Sequence, residues 1–573
     1  MRDDLTAAKE ELGKLPDLIK AGDQEQVDAA AARALELTTQ AKETVHGPLW
    51  PIAENVPVVG VNVAAVKGAT EATHIIVRDA LPTGMKLLAL LTPENIKVEG
   101  GGINLDPFRE AQGALQPLAG TIAEAQSHIV DIDRSALLPF VDEALAELLD
   151  LMEVAGPLID EAERYLPVLL QLAGADGPRT YVVVFQNNAE IRATGGNAAN
   201  SVVLTVDNGV MSTLEDSDVE EFIWVGAEGY ARGELPEETE PLYEADTVNR
   251  SQNFTRTPDF PTTASLFRQL WKQTTGGKLD GVISVDPVLL SYLLTATGPI
   301  SLEDGSELNA DNAVKILLSD AYERFGLDSR SATAYFADVS SRVFDAVKSG
   351  NWEPLEMLKQ LQHAAKEQRL YMNFTNEEEQ TIVRELNLDG ALTADNTQVT
   401  QIGVYLNNAE YSKLQYYLNT SATLTCNSAE RTVTTVYTVT STVPGPNLGG
   451  YTLGWRNNQL GLQRTTMVLD VIASAPPGSE IVEMDPETSD LGGGWDRSGI
   501  ELGHPTRSVT LTLPRGKTKT VTSTIKLPEG DLAPLEFRYS PTVTQTPVTI
   551  DASCNGFLDL PEDVDLFAGL GSE

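Results

Sequence analysis

The sequence predicts a multidomain α+β protein with an N-terminal helical bundle, a central α/β domain and a C-terminal antiparallel β-sandwich. Three observations carry this reading. Residues 1 to about 175 place apolar residues at three- and four-residue spacing. Strands and helices then alternate from 178 to about 405. From 415 to 573, short Thr- and Val-rich alternating runs are punctuated by turn signals. A chain of 573 residues exceeds a single core, and the usual domain size gives about three to five units.

The helical assignment rests on LTAAKEELGKLPDLI, VDAAAARALELTTQAKETV and LLPFVDEALAELLDLMEVAGPLIDEAERYLPVLLQLAG. Gly and Pro interrupt the pattern at AGDQ, HGPLWP and VEGGGINLDP. The Ala-rich stripe between Val27 and Leu37 reads as a helix-packing face.

The pattern changes after Gly177. TYVVVF and NSVVLTVDNGVMSTL are β-branched runs, and Asp207-Asn208-Gly209 is a strong hairpin signal. The segment from Met211 to Arg250 carries twelve Asp or Glu against two Arg and reads as a long surface loop. Helix returns in TTASLFRQLWKQTTG, strand in LDGVISV, helix in PVLLSYLLTATG and a short strand in PISL. Two more helices follow in NADNAVKILLSDAYERF and SATAYFADVSSRVFDAVKSG.

The C-terminal region is built from TSATLTC, RTVTTVYTVTSTV, TTMVLDVIA, SVTLTLPRGKTKTVTSTIKL, PLEFRYS and TPVTIDASC. Its ends carry the chain's two cysteines, Cys426 and Cys554. Pairing them would close a loop of more than a hundred residues, worth about 4 to 5 kcal/mol in chain-entropy terms, and would imply an oxidising compartment. The alternative is two unrelated buried thiols.

The formal charge of −42 and pI near 4.4 oppose nucleic acid or anionic lipid as a partner of the whole surface. No apolar run approaches the roughly 20 residues that span a bilayer, and MRDDLTAAKEEL has no signal-peptide core. A cytosolic protein, or one whose targeting segment has been removed, is therefore expected. There is no Walker A, GxSxG or HExxH motif and no zinc-spaced Cys/His cluster, so no metal ligand is assigned. The five histidines are scattered and receive no role.

The main candidate for chemistry is NNAEIRATGGN, Asn187 to Asn197, at a strand end, where sheets of this class hold ligands. Gly195 and Gly196 permit a nest of N–H groups for an anion, and Arg192 would add a bidentate clamp. The competing reading is a glycine corner with Arg192 paired to a local acid such as Glu190. A second candidate, Arg256 to Asp259, reads either as an acid held beside a base by a stiff Pro turn or as a helix N-terminus capped by Thr262 or Thr263.

These residues resemble a family. Over 181 to about 420 the chain is similar to the bacterial "domain of unknown function 4012" proteins in FQNNAEIRATGGN, VDNG, NFTRTPDFPTTA, LDGVISVDPVLLSYLLTATGPI and NNAEYSKLQYYL, taken in order. The resemblance implies a protein of the Gram-positive cell envelope. It would be held by one N-terminal transmembrane helix, with the remainder outside the cell. A chain starting just beyond that helix, with an added methionine, would begin MRDDLTAAKE.

A more distant similarity is to the LytR-CpsA-Psr glycopolymer transferases, which implies a LytR-CpsA-Psr-like central domain. VVVFQNNAEIRATGG, VDPVLLSYLLTATGPI, LNADNAVKILLSDAYERFG and SRSATAYFADVSSRVFDAVKSG follow the order of elements in those enzymes. The enzymes hold polyprenyl-pyrophosphate-linked sugars with arginines, and a magnesium ion with acids. Carried across, Arg192, Gly195, Gly196, Asn197, Arg256, Asp259 and Arg324 form the candidate ligand site, with Mg2+ implied only for an active transferase. The carry-over is incomplete. Thr194 stands where the first motif has an acid, and Asp320, Tyr322 and Glu323 stand where the third has arginines. Arg330 and Arg342 fall nearest the last motif's arginine, without its glutamines. The expectation is an extracytoplasmic protein that binds or helps assemble a cell-surface glycopolymer through a degenerate pyrophosphate-lipid site, not a competent transferase. An active phosphotransferase and a purely structural surface-assembly protein are the alternatives. Cell-wall glycopolymer, polyprenyl-phosphate lipid, other envelope proteins and the membrane are the expected partners.

Overall fold

The computed structural model describes residues 2–56, 59–90, 93–96, 102–213, 233–326, 328–349 and 352–558. They form two compact units that divide, for the most part, between Asp176 and Gly177. Residues 97–101, with Gly100 and Gly101 of the glycine turn, and residues 214–232 of the acidic segment lie outside the described residues. Among the described residues, no helix is long and apolar enough to cross a membrane.

The first unit is helical. Asp23 caps the helix Gln24–Val45 by accepting from Gln26 N, and that helix buries Val27, Ala30, Ala34, Leu37, Ala41 and Val45 along one face. The alanine stripe is thus a packing surface, as its spacing predicts. Gly68, in the helix Gly60–Ile75, is required by close approach: a Cβ there would lie 2.3 Å from the carbonyl oxygen of His128. Ala72, Ile75, Ala125, Ile129, Leu145 and Met152 fill a shared core. The last helix, Pro139–Leu172, runs 34 residues, about 50 Å at the usual rise.

The second unit begins with a five-stranded sheet. Its strands are β1 (Arg179–Asn187), β2 (Asn197–Asp207), β3 (Val210–Thr213), β4 (Gly281–Val285) and β7 (Tyr371–Phe374), in the order β3-β2-β1-β4-β7. A small hairpin of β5 (Ile300–Ser301) and β6 (Glu307–Leu308) lies between β4 and β7 in sequence. Asn208 and Gly209, both at positive φ, make the β2–β3 turn. Only β1 and β4 run parallel, and every other pair is antiparallel. The sheet is therefore mixed, although the alternation of strands and helices pointed to an α/β layer. Two helices, Pro354–Lys366 and Glu377–Glu385, flank β7; neither they nor that edge strand were foreseen from the sequence.

Period-two alternation in β1 sends its side chains to opposite faces. Val182 and Val184 pack with Phe260, Phe267 and Trp271 of the helix Phe260–Thr275. Val183 and Phe185 face the helices Pro287–Thr297 and Ser329–Lys348.

Two further five-stranded sheets complete the unit, ordered β12-β15-β10-β9-β17 and β13-β14-β11-β8-β16. Their strands are β8 (Thr400–Asn408), β9 (Leu418–Asn427), β10 (Thr432–Ser441), β11 (Met467–Ser474), β12 (Glu480–Asp485), β13 (Arg497–Glu501), β14 (His504–Leu513), β15 (Thr518–Lys526), β16 (Leu535–Tyr539) and β17 (Val548–Ile550). Alternate residues of both sheets enter one apolar cluster, including Leu406, Leu424, Tyr437, Leu469, Leu511 and Ile525. Cys426 and Cys554 form a disulfide across a separation of 128 residues, and no free cysteine remains.

Two expectations need correction. The central domain was expected to run to about 405, a point inside the strand Thr400–Asn408, which pairs with β11 and β16 and is buried along its whole length. Its side chains serve the C-terminal core on one face and the central domain on the other, so periodicity alone could not assign it. The C-terminal sheets are also not wholly antiparallel, because β16 and β17 join β8 and β9 in parallel at the sheet edges.

Candidate functional site

The stretch Asn187–Asn197 folds back on itself at the end of β1. Asn187 Oδ1 accepts from Ala189 N at 3.0 Å and starts a one-turn 3-10 helix over Asn188–Glu190. Gly195 sits at φ 137°, a conformation that side chains disfavour. Gly196 is fixed by proximity, since a Cβ would come within 2.3 Å of the Asn187 carbonyl carbon. Both amides are used internally: Gly195 N donates to Arg192 O at 2.9 Å, and Gly196 N to Gln186 Oε1 at 2.8 Å. The glycines make a corner, and these two N–H groups are not a free nest.

Arg192 is completely buried. It donates to Glu190 Oε1 at 2.9 Å, Ile191 O at 2.9 Å and Asn253 Oδ1 at 3.1 Å. Glu190 also accepts from Asn197 Nδ2 at 2.8 Å and pairs with Lys413. Burial works to raise the Glu190 pKa, but Lys413 and Arg192 outweigh it and hold the carboxyl down at about 2. Arg192 is therefore the countercharge of a buried acid, as the competing reading of the sequence had it.

A second Asn-Asn-Ala-Glu, Asn407 to Glu410, ends β8 and lies against the first. Asn408 N donates to Ile191 O at 3.0 Å, and Ala193 N donates to Asn407 Oδ1 at 3.2 Å. Among the described residues, no cation pairs with Glu410 here. Burial pushes its pKa up to about 7, against hydrogen bonds from Ser412, Val468 N and Gln415. The recurrence of four letters at two strand ends was the readable signal for this pairing, and sequence reasoning missed it, along with Lys413. Arg369 was missed too; it donates to Asp286 Oδ2 at 2.9 Å, Glu367 Oε2 at 2.6 Å and Thr542 O at 2.9 Å.

The remaining candidates are dispersed. Arg256 is buried, donating to Asp246 Oδ1 at 2.7 Å and to the Tyr411 hydroxyl at 3.3 Å. It lines a crevice of only about 30 Å³. Asp259 caps the helix Phe260–Thr275, accepting from Thr262 N at 2.8 Å, Thr262 Oγ1 at 2.6 Å and Leu392 N at 2.9 Å. Helix capping is thus its role, with Asp259 itself as the cap in place of Thr262 or Thr263. Arg324 is half exposed, pairs with Asp304 at 2.5 Å and lies 5.0 Å from the Phe325 ring centre. Arg342 pairs with Asp338 at 2.7 Å, and the Arg330 side chain lies outside the described residues. Among the described residues, no group of three His, Cys, Asp or Glu side chains is placed to hold a metal ion. Asp259, with both oxygens engaged, does not fit a magnesium ligand.

What the region does offer is a cavity of about 260 Å³ on the other face of β1. Val183, Phe185, Leu293, Leu317, Phe336 and Val339 are among its many apolar wall residues, while Gln186, Asn187, Asp286 and Tyr322 give one polar cluster at the ends of β1 and β4. Such a lining suits an apolar ligand fixed by few polar groups.

Comparison with known proteins places this region. Residues 176–322 match the family described as "Protein of unknown function (DUF4012)". No curated protein matches the chain. Among solved structures, protein gbs0355 from Streptococcus agalactiae is similar at 12% identity over 38% of this chain and 75% of that one. The TM-score of 0.25 is too low to support an argument about fold or function.

Proposed function

We propose that this chain, whose residues 176–322 form a DUF4012 region, is an extracytoplasmic cell-envelope protein. It binds or helps assemble a cell-surface glycopolymer by holding the apolar chain of the lipid that carries it. The observation behind this reading is the apolar cavity between β1 and the helices Pro287–Thr297 and Ser329–Lys348. It lies beside the segment that resembles the first motif of the glycopolymer transferases. The disulfide fits an oxidising compartment. We read the central sheet with its helices as a LytR-CpsA-Psr-like domain, from the order of its motifs. The two C-terminal sheets we read as a β-sandwich, from their single shared core.

Binding without transfer is preferred because Arg192 is consumed by the buried Glu190, Arg256 by Asp246 and Asp259 by a helix end. Phosphoryl transfer needs cations convergent on the leaving group. The reading is tested by incubating the protein with a neutral glycolipid and, separately, with a polyprenyl-pyrophosphate-linked sugar, Mg2+ and a hydroxyl acceptor, following complex formation by native mass spectrometry and polyprenyl phosphate formation by chromatography. A complex with the glycolipid and no turnover of the pyrophosphate lipid are expected; multiple-turnover formation of polyprenyl phosphate, with the sugar phosphate passed to the hydroxyl acceptor, would overturn it.

A further inference from the structure

The cavity's charge pattern says more about its ligand than its apolar wall does. Among the described residues lining it there is no lysine or arginine, and the one ionised side chain is an acid, Asp286. Its carboxylate is turned to protein partners: Arg369 at 2.9 Å, Asn188 Nδ2 at 2.9 Å and Leu289 N at 2.7 Å. Arg369 in turn serves Glu367 as well as Asp286, so two carboxyl groups share one guanidinium. Lys413, 5.7 Å from the Tyr322 ring centre, is paired with Glu190 and does not line the cavity. A phosphate entering here would be desolvated beside a carboxylate with no free cation to meet it.

The polar wall groups are also mostly spent. Gln186 donates to Ser284 Oγ at 2.6 Å and accepts from Gly196 N at 2.8 Å and Thr194 Oγ1 at 3.1 Å. Asn187 Oδ1 accepts from Ala189 N at 3.0 Å, and Asn187 Nδ2 donates to the Tyr322 hydroxyl. Tyr322 is buried and uses its oxygen as an acceptor in that bond. Its own proton has no acceptor among the described residues. The Tyr322 hydroxyl proton is thus an unspent donor at the end of the apolar cavity, beside the second amide hydrogens of Gln186 and Asn187, and the remaining polar wall residue, Asn200, is exposed.

We infer that the cavity selects an uncharged lipid, whose apolar chain fills it and whose neutral acceptor oxygen (alcohol, ether or ester) takes the Tyr322 proton, and that it rejects a phosphate at the same point. This rests on the reading of the cavity as the ligand site and narrows it: the lipid is held at an uncharged oxygen, not at a phosphoryl group. Tyr322, at a position where the distant transferase resemblance calls for arginine, becomes the specificity-determining residue.

The test is calorimetric titration of the full chain with farnesol, farnesyl phosphate and the hydrocarbon farnesene, each below its aggregation threshold. Farnesol is expected to bind at least tenfold more tightly than farnesyl phosphate. Tyr322→Phe should weaken farnesol about three- to tenfold, the range of one hydrogen bond, and leave farnesene unchanged, whereas a merely structural role would move both. Farnesyl phosphate binding as tightly as farnesol overturns the inference while leaving the cavity as the site. Failure of all three to bind overturns the cavity reading together with it. Farnesol affinity unchanged in Tyr322→Phe overturns the assignment of Tyr322. The wild-type comparison of alcohol and phosphate decides the main point even if the variant does not fold.

Discussion

Arg192 Nη2 lies 2.9 Å from Glu190 Oε1, with both side chains sealed from solvent. That contact turns the most ligand-like stretch of the sequence into the joint between two parts of the fold. Around it, Asn253 comes from the segment before the helix Phe260–Thr275, and Lys413 and Asn407 come from the ends of β8 and its following loop. Charge is used here for registry between the central sheet and the C-terminal sheets.

Removing one partner of a buried pair leaves the other uncompensated. Arg192→Ala should therefore cost about 3–5 kcal/mol in denaturant unfolding, within the range for such pairs. Arg192→Lys should recover little of it, because a single ammonium cannot reach Glu190, Asn253 and the Ile191 carbonyl together. Farnesol affinity of the folded fraction should not change.

Gly196→Ala should destabilise by at least about 1–3 kcal/mol, the usual range for overpacking. The new methyl would meet the Asn187 backbone, which has no flexible end to move aside. Chemical denaturation of the purified variant checks this.

The two families of buried glutamates give opposite pH dependences. Glu190, held at about 2 against an ordinary 4.5, stabilises the fold above pH 4.5, and that contribution is lost as pH falls toward 2. Burial pushes Glu501 up to about 7, against hydrogen bonds from Thr257 and Tyr243. The native state therefore binds the Glu501 proton more tightly than the unfolded chain, and stability falls as pH rises from 4.5 through 7. Glu410 acts in the same direction. Unfolding free energy measured between pH 5 and 8 should decline in the wild type and decline less in Glu501→Gln.

Reducing Cys426–Cys554 should lower stability by about 4–5 kcal/mol if loop entropy dominates. Denaturation with and without reductant measures it, and Cys426→Ser should match the reduced protein.

Much of the architecture was legible because periodicity reports burial. The Val27–Leu37 stripe, the β-branched runs of β1 and β2, the Asn208-Gly209 turn and the distant cysteine pair each follow from local rules. The strand Thr400–Asn408 was not read from the sequence because both of its faces are buried, which erases alternation. The site was less legible. A buried Arg192 and a ligand-binding one read the same in one dimension, and Lys413, its partner at Glu190, is more than two hundred residues away. The cavity could not be read at all, since its wall draws on the four strands β1 to β4 and three helical segments whose packing no local pattern encodes.

The central claim is that ligand enters the cavity on the helix-covered face of β1 and does not bind at the arginines. Its most direct measurement is titration of farnesol into the wild type, Leu293→Trp, which fills the cavity, and Arg324→Ala, which removes the exposed arginine. Saturable binding to the wild type and Arg324→Ala, abolished in a folded Leu293→Trp, is the predicted result. Binding that survives Leu293→Trp and disappears in Arg324→Ala would contradict it.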